Sequence, residues 1–460
     1  MFFIYLLSCS QDQQSDTSIS TENTEDIALT TDFYSFPNEF GEETVSYSGQ
    51  VFRHVLIHEL TNYIDNLTTN IDNASIVFGT TEEVVASLNF YVNFDSNTSG
   101  EVPLSFEKSL QQVYNDISQD KNLIEKLAGN DTVTDHKNWN DGAFQGWSNA
   151  SSPQALLQEW FTTIGSQSIS RISGDYVVDI HTPVYVTPEG QDLKQLSQKF
   201  LLGAVVFSQG ADDYLDDDIE NKGILSSNVL EEGQTYSELA HAWDEGFGYF
   251  GAAQNYMQYT DVQIAEGLYI DSNNDGFLDL HSEKNWGHSV NAAKRDLGSQ
   301  SGTDFTHGAW MGFWEGRALI HSVSGNLSEA QRDQLKIHRN QVLDNWEKSI
   351  SATVVHYINE VLGDMKTFGT DEFSFVNLAK HWSEMKGFSL GLQFNPHSPV
   401  SESDFLLFHQ LVGDAPTLPS ASEEAITEYQ QNLLEARSIL QDTYLFEDID
   451  MGNEKGENGW

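Results

Sequence analysis

The sequence predicts an all-α protein made of two related helical bundles with irregular connections. Apolar residues recur at helical spacing along most of the chain, and β-like runs are too few to build a sheet. One motif also occurs twice, about a third of the chain apart: Leu239-Ala-His241-Ala-Trp243-Asp244-Glu245 and Leu378-Ala-Lys-His381-Trp382-Ser-Glu384, each followed by a Gly-Phe pair. This repeat indicates an internal duplication that directs similar polar groups towards one interior.

The individual helices follow from spacing and capping. In the first of them, Val51, Val55 and Leu56 share one face, and Ser328 supplies an N-cap to the longest. Thr370-Asp371 opens the helix that carries the second motif copy. The predicted helices are 49–69, 106–128, 155–164, 193–213, 237–259, 285–297, 305–323, 328–362, 371–392, 402–411 and 422–444.

Charge is the extreme property of the chain. Its 460 residues include 70 acidic and 22 basic ones, for a formal net charge of -48. Such a surface repels phosphate backbones, so we expect no nucleic-acid partner and regard cations as the natural counterpart. The acidic run 212–218 is predicted to be a solvated turn.

The N-terminus resembles the lipobox of bacterial lipoproteins. Leu6-Leu7-Ser8 precedes Cys9, the only cysteine of the chain, so an intrachain disulfide is excluded. We expect 1–8 to be a shortened signal remnant, Cys9 to be lipidated, and 9–31 to be a disordered acidic tether. The lipid would hold the protein at the outer membrane, facing the periplasm or the cell surface. The alternative is an apolar N-terminus with a buried free cysteine.

A calcium loop is predicted between the two halves. Asp271, Asn273 and Asp275 occupy loop positions one, three and five, a glycine stands at six, and the Phe277 carbonyl stands at seven. Asp279 follows at nine. The carboxylate expected at position twelve is displaced to Glu283, since Ser282 stands there. We expect this EF-hand-like loop to hold a structural calcium ion; the alternative is an ion-free surface turn.

The first motif copy also supports a transition-metal hypothesis. His241, Asp244 and Glu245 share one helical face, and imidazole with carboxylates suits iron or zinc. His381 and Glu384 of the second copy would complete the site if the halves face each other. In the alternative, Trp243 and Trp382 are core anchors, and buried groups such as Arg317 satisfy the carboxylates. The zincin pattern that begins at His58 is incomplete because Asn62 replaces its second histidine.

These motifs resemble the bacterial lipoprotein family labelled domain of unknown function 4856. The resemblance rests on the His241 motif through Gly251, the loop 271–279 with the following 286–296, and the Trp382 motif through Phe388. The resemblance spans about 32–444. The family is in turn similar to imelysin-like proteins, and this similarity implies two fused helical bundles and a link to iron uptake or peptidase activity. Of the G-x-H-x-x-E signature of imelysin-like proteins, only His241 transfers, because Leu239 replaces the glycine and Asp244 the glutamate.

Together these features predict an imelysin-like helical domain over 32–445, with halves at about 32–265 and 285–445 and a loose acidic tail at 446–460. The expected function is binding of a metal, a metal chelate or a small ligand, rather than catalysis. The expected ligand residues are His241, Trp243, Asp244, Glu245, His381, Trp382 and Glu384. A metallopeptidase or other hydrolase, and a surface scaffold or adhesin without a small-molecule site, are the alternatives.

Overall fold

A computed structural model describes residues 29–131 and 133–460, and this part of the chain is all-α. Its β contacts are isolated bridges that form no sheet. The α-helices in this part are α1 (Ser48–Asp72), α2 (Thr81–Val92), α3 (Ser96–Ser99), α4 (Tyr114–Ile117), α5 (Pro153–Ser173), α6 (Leu193–Leu201), α7 (Glu238–Phe250), α8 (Asp261–Ala265), α9 (Gly287–Gly298), α10 (Phe305–Ser322), α11 (Glu329–Lys366), α12 (Phe375–Leu390), α13 (Glu402–Val412), α14 (Glu423–Tyr444) and α15 (Asp448–Met451). Cys9, the expected signal remnant 1–8 and most of the tether 9–31 lie outside the described residues. In the part that is described, no helix combines the length and the apolarity that a membrane crossing requires.

Helix starts follow the capping chemistry of the sequence. A serine, threonine or aspartate side chain accepts a hydrogen bond from the first helical turn at most of the longer helices. The caps are Thr80, Ser152, Asp192, Ser237, Asp304, Ser328, Ser374, Ser401 and Ser422. Polar residues at these places therefore fix where the chain enters each helix.

The helix α6 continues into two π-helical segments, Leu202–Phe207 and Gln209–Tyr214. Such segments are rare and frequently occur at functional sites. The second segment turns Asp212 and Asp213 into the protein, where Asp212 is only 1% exposed. The prediction of a solvated turn over 212–218 is therefore wrong for Asp212 and also for Asp216, which is 4% exposed.

Several helix predictions also differ from the structure: the helix predicted over 237–259 ends at Phe250, and the helix predicted to open at Thr370-Asp371 begins at Phe375 with Ser374 as its cap. The segment 106–128 forms only α4 and a 3₁₀ turn, because Leu110 N–H bonds to the Leu278 carbonyl instead of to its own helix. The sequence analysis missed α2, although Thr80 caps it and Val84 and Leu88 occupy its buried face. Cap and spacing together were the signal that could have identified α2.

The C-terminal tail is packed, not loose. Trp460 is 5% exposed and donates its indole N–H to the Arg295 carbonyl. Asp450 is fully buried and accepts hydrogen bonds from the backbone of Gln300 and Ser301. The burial of Trp460 and the hydrogen bonds to Asp450 hold this segment in place, although the acidic composition of 446–460 predicted a loose tail.

Helices of the two expected halves pack on each other. The motif helix α7 contacts α10, α1 and the segment Gln209–Tyr214, whereas the motif helix α12 contacts α11 and α6. The long helix α11 also contacts α10, α9 and α14. The two motif helices therefore sit in different surroundings.

Candidate functional site

A cavity of about 320 Å³ opens between α7 and the end of the second π segment. This volume falls within the range of small-ligand pockets, about 300–1,000 Å³. Its walls carry one histidine, four carboxylates, two lysines and a tyrosine. The lining residues are Lys126, Asp131, Thr134, Asp213, Tyr214, Asn221, Lys222, Gly223, Ser226, Glu238, His241, Ala242 and Glu245.

The imidazole of His241 is oriented for ligation. Its Nδ1 lies 3.1 Å from the Ser46 carbonyl, which can only accept; in the neutral imidazole this contact places the proton on Nδ1 and the lone pair on Nε2. The Tyr236 ring stacks on the imidazole at 4.6 Å and fixes its plane. Nε2 lies 3.7 Å from Oε1 of Glu245, which is too long for a hydrogen bond. This anchoring of one ring nitrogen by a carbonyl is typical of histidines that bind metals through the other.

Asp213 supplies the strongest sign of a missing partner. Both of its carboxylate oxygens are buried, and neither makes a hydrogen bond to any described residue. Burial raises the pKa of Asp213 to about 8, although the Thr134 hydroxyl and the Lys126 ammonium lower it. With this pKa the group is mostly protonated near neutral pH, which lets it stay buried without a charged partner, and a metal ion that binds here would displace that proton.

Other buried acids surround Asp213. Asp212 accepts hydrogen bonds from the backbone N–H and the Nδ1 of His136, while its second oxygen has no donor among the described residues. Burial raises the pKa of Asp135 to about 7 and also raises that of Asp212. Asp131 is paired with Lys126 at 2.6 Å. Asp131 lines the cavity with Asp213, whereas Asp135 and Asp212 are not among its lining residues. Once ionised, the acids that do line it favour a cation.

The structure places two of the expected ligand residues elsewhere. Asp244 is fully buried on the neighbouring, core-facing side of α7, where its Oδ1 accepts from Nε of Arg317 and from the Tyr34 hydroxyl, both at 2.9 Å. Trp243 is 0% exposed and donates its indole N–H to the Phe313 carbonyl. Both side chains thus fill the core, and of the ligand residues expected in the first motif copy only His241 and Glu245 line the cavity.

The residues of the second copy do not complete the site. His381 bonds to Asp364 at 2.8 Å, and the Trp382 indole donates to the Tyr429 hydroxyl. Glu384 is paired with Lys199 at 3.4 Å. Among the described residues, no hydrogen bond or ion pair joins this group to His241 or Glu245. The expected convergence of the two motif helices is therefore absent: both contact the segment Leu202–Phe207, but the rest of their packing is on different helices.

The loop 271–283 has the turn that its sequence predicts. Asp271 accepts hydrogen bonds from the backbone of Asp275 and Gly276, and Gly276 has a φ of +85°, which other residues rarely adopt. Asn273 accepts from Asp275 N–H, and Asp275 accepts from Phe277 N–H.

The last two acids of the loop stabilise its closure. Glu283 is 1% exposed, and its two oxygens accept from the backbone N–H groups of Ser272 and Asp279. Asp279 accepts from Gln111 and Ser282 side chains. The groups left for a cation are therefore Asp271, Asn273, Asp275 and the Phe277 carbonyl.

One further acid and histidine group was not singled out by the sequence. Asp216, Asp217 and His397 have ligand atoms within 4.8 Å of one another, the only such triad in the part of the chain that the structure describes. However, Arg339 Nη1 lies 2.8 Å from Nε2 of His397 and 3.2 Å from Asp217. Arg339 and Lys336, whose ammonium lies 2.7 Å from Asp217, already offset the charge of these two acids, so the group forms an ion-pair network.

Comparison with known families matches residues 31–400 to the family described as Domain of unknown function (DUF4856). No curated protein and no solved structure matches the chain.

Proposed function

From the premise that this chain belongs to the DUF4856 family, we propose that it is a cell-envelope lipoprotein that binds a divalent metal ion, or a small chelate of one, in the cavity beside α7. The observation that carries this proposal is the unpartnered, buried carboxylate of Asp213 in the same cavity as the oriented imidazole of His241. Glu245 and Asp131 contribute further oxygen atoms.

The donor set favours a first-row transition metal such as iron, manganese or zinc, since one imidazole and several carboxylates bind these ions. The size of the cavity favours more than a bare ion. A cavity of about 320 Å³ has room for a hydrated ion or a small chelating molecule. The ligand atoms of His241, Glu245 and Asp213 are also too widely spaced to form a closed triad. Water or chelator atoms would fill the remaining coordination positions.

The proposal also includes a calcium ion with a structural role in the loop 271–283. Three side chains and one carbonyl at the spacing of a calcium loop support it, as does the turn that Gly276 allows. The Leu278 backbone bonds to Lys108 and Leu110, so an ion here would also order the irregular segment near α4.

Metal analysis of variants tests both sites at once. His241→Ala and Asp213→Asn should each weaken binding of manganese, iron or zinc by about 100-fold, because losing even an outer partner of a metal ligand costs 10–100-fold. The double variant Asp271→Asn/Asp275→Asn should lose calcium only. Elemental analysis and calorimetric titration would report the two metals separately.

The variants of each site serve as controls for the other site. His307→Ala, which removes an exposed histidine on α10, should change neither transition-metal binding nor calcium binding. Wild-type affinity for transition metals in both His241→Ala and Asp213→Asn would contradict the cavity proposal. Unchanged calcium content in the double loop variant would contradict the calcium proposal.

The lipid anchor makes a separate prediction. Cys9→Ser should move the protein from the membrane pellet to the soluble fraction and abolish incorporation of labelled fatty acid. The control variant Ser10→Ala leaves Cys9 intact and should remain in the membrane pellet. Membrane attachment of Cys9→Ser would rule out lipidation at this residue.

A further inference from the structure

A second cavity, of about 170 Å³, lies between the segment 136–145 and the segment 392–405. Apolar side chains form part of its wall, among them Leu392, Val400 and Phe405. The polar part of the wall includes His136, and two charged residues of opposite sign, Lys137 and Glu402. Both charged residues are exposed, so a small molecule can reach the cavity from solvent.

The imidazole of His136 is held in one orientation. Its Nδ1 lies 2.8 Å from Oδ2 of Asp212, which is 1% exposed. The same carboxylate oxygen accepts the backbone N–H of His136 at 3.1 Å, so it acts as an acceptor. The buried Trp139 packs edge-on against the imidazole, with the ring centroids 5.2 Å apart. In the neutral imidazole these contacts place the proton on Nδ1 and the lone pair on Nε2.

The Nε2 atom of His136 is an unused acceptor on this wall. It makes no hydrogen bond to any described residue, and it is not among the polar atoms that the protein encloses. Other polar groups of the wall have partners already. The Ser398 hydroxyl donates to the buried Glu347, and the side chain of Gln393 bonds to the backbone of Gln145. Nε2 is therefore available to accept a hydrogen bond from a ligand.

The size and the charge of the cavity limit what can bind in it. An apolar cavity of about 150 Å³ holds one benzene molecule, so a cavity of about 170 Å³ admits a molecule of similar size. Lys137 and Glu402 contribute one charge of each sign, which favours a ligand without net charge. Leu392 and Phe405 are 3% and 6% exposed and offer hydrocarbon surface for such a ligand.

We propose that this cavity binds a small neutral ring compound, a phenol or a cyclic alcohol, whose hydroxyl group donates a hydrogen bond to Nε2 of His136. Its hydrocarbon part lies against Leu392, Val400 and Phe405, and Asp212 positions the imidazole. The site shares no lining residue with the cation cavity beside α7, and it does not depend on the function proposed for that cavity.

Ligand-detected NMR titrations of the purified full chain with phenol, and separately with toluene, test the site. Toluene has as many heavy atoms as phenol but no hydrogen-bond donor. We expect saturable binding of phenol to the wild type. In His136→Phe, which keeps an aromatic ring beside Trp139, the ratio of phenol affinity to toluene affinity should fall about tenfold, because the phenol hydroxyl loses its acceptor.

Two further variants separate this site from binding elsewhere. Ala143→Leu enlarges a half-buried side chain of the cavity wall and should abolish binding of both probes, because it fills the space that the ring needs. His307→Ala removes an exposed histidine on α10 and should bind both probes as the wild type does.

Thermal unfolding without probe shows which variants are folded at the temperature of the titration. If His136→Phe is unfolded there, Ala143→Leu decides the question alone. The proposal is overturned if phenol binding to the wild type does not saturate, if folded His136→Phe keeps the wild-type affinity ratio, or if Ala143→Leu keeps the wild-type affinity for phenol.

Discussion

Replacing Asp244 by Ala is expected to destabilise the protein by about 3–5 kcal/mol, because it leaves the buried charge of Arg317 without its partner. Burial raises the pKa of Asp244 to about 6 against the opposing effect of Arg317, so the carboxylate is ionised at neutral pH. Arg317 is 1% exposed and has only the Thr44 hydroxyl as a further side-chain acceptor among the described residues. Urea denaturation would measure the loss.

Two variants make this measurement specific. Asp344→Ala breaks a solvent-exposed ion pair with Lys348 and should cost less than about 1 kcal/mol. Replacing both buried partners, as in Asp244→Leu/Arg317→Met, should recover most of the stability that Asp244→Ala loses, since it removes both charges. A loss below about 1 kcal/mol for Asp244→Ala would show that water reaches Arg317, and it would contradict the closed ion pair.

Replacing Trp243 by Ala is expected to cost about 3–5 kcal/mol, the usual range for removing a buried tryptophan. The indole is 0% exposed and lies directly over Gly316, where a Cβ atom would come within 2.1 Å of its Cζ2. It also packs edge-on against Phe313 at 6.2 Å. Because Gly316 has no side chain to fill the space, a cavity would remain in Trp243→Ala.

Thermal or urea unfolding of Trp243→Ala should be compared with Trp314→Ala. Trp314 is half-buried on the same helix as Gly316 and donates to the Thr30 carbonyl, so its loss should cost clearly less. If Trp243→Ala kept wild-type stability but lost metal binding, Trp243 would be a ligand residue and not a core residue.

Local signals predicted most helices. Caps such as Ser237, Ser328 and Ser422 start helices where the sequence indicated, since a cap acts through the backbone of its own first turn. The segment 106–128 failed for the opposite reason: its apolar spacing is helical, but its backbone bonds to the distant Leu278. Helical spacing alone cannot reveal a competing partner that is far along the chain.

The candidate site was predicted in part. His241 and Glu245 were singled out because they share a helical face, and both line the cavity. Asp213 was missed, since an acidic run is usually solvated and only the π-helical turn of Gln209–Tyr214 carries it inside. An unpartnered buried oxygen is a property of the packed protein, and no sequence pattern records it.

By itself, the sequence determined the helical class, most of the helix starts and the strongly acidic charge, because each depends on residue type and on neighbours within a few positions. Only the tertiary structure decided that Asp244 pairs with Arg317 while Glu245 faces a cavity, although the two residues are adjacent. Consecutive residues of a helix point about 100° apart. Which direction is buried depends on the helices that pack around α7, and those come from distant parts of the chain.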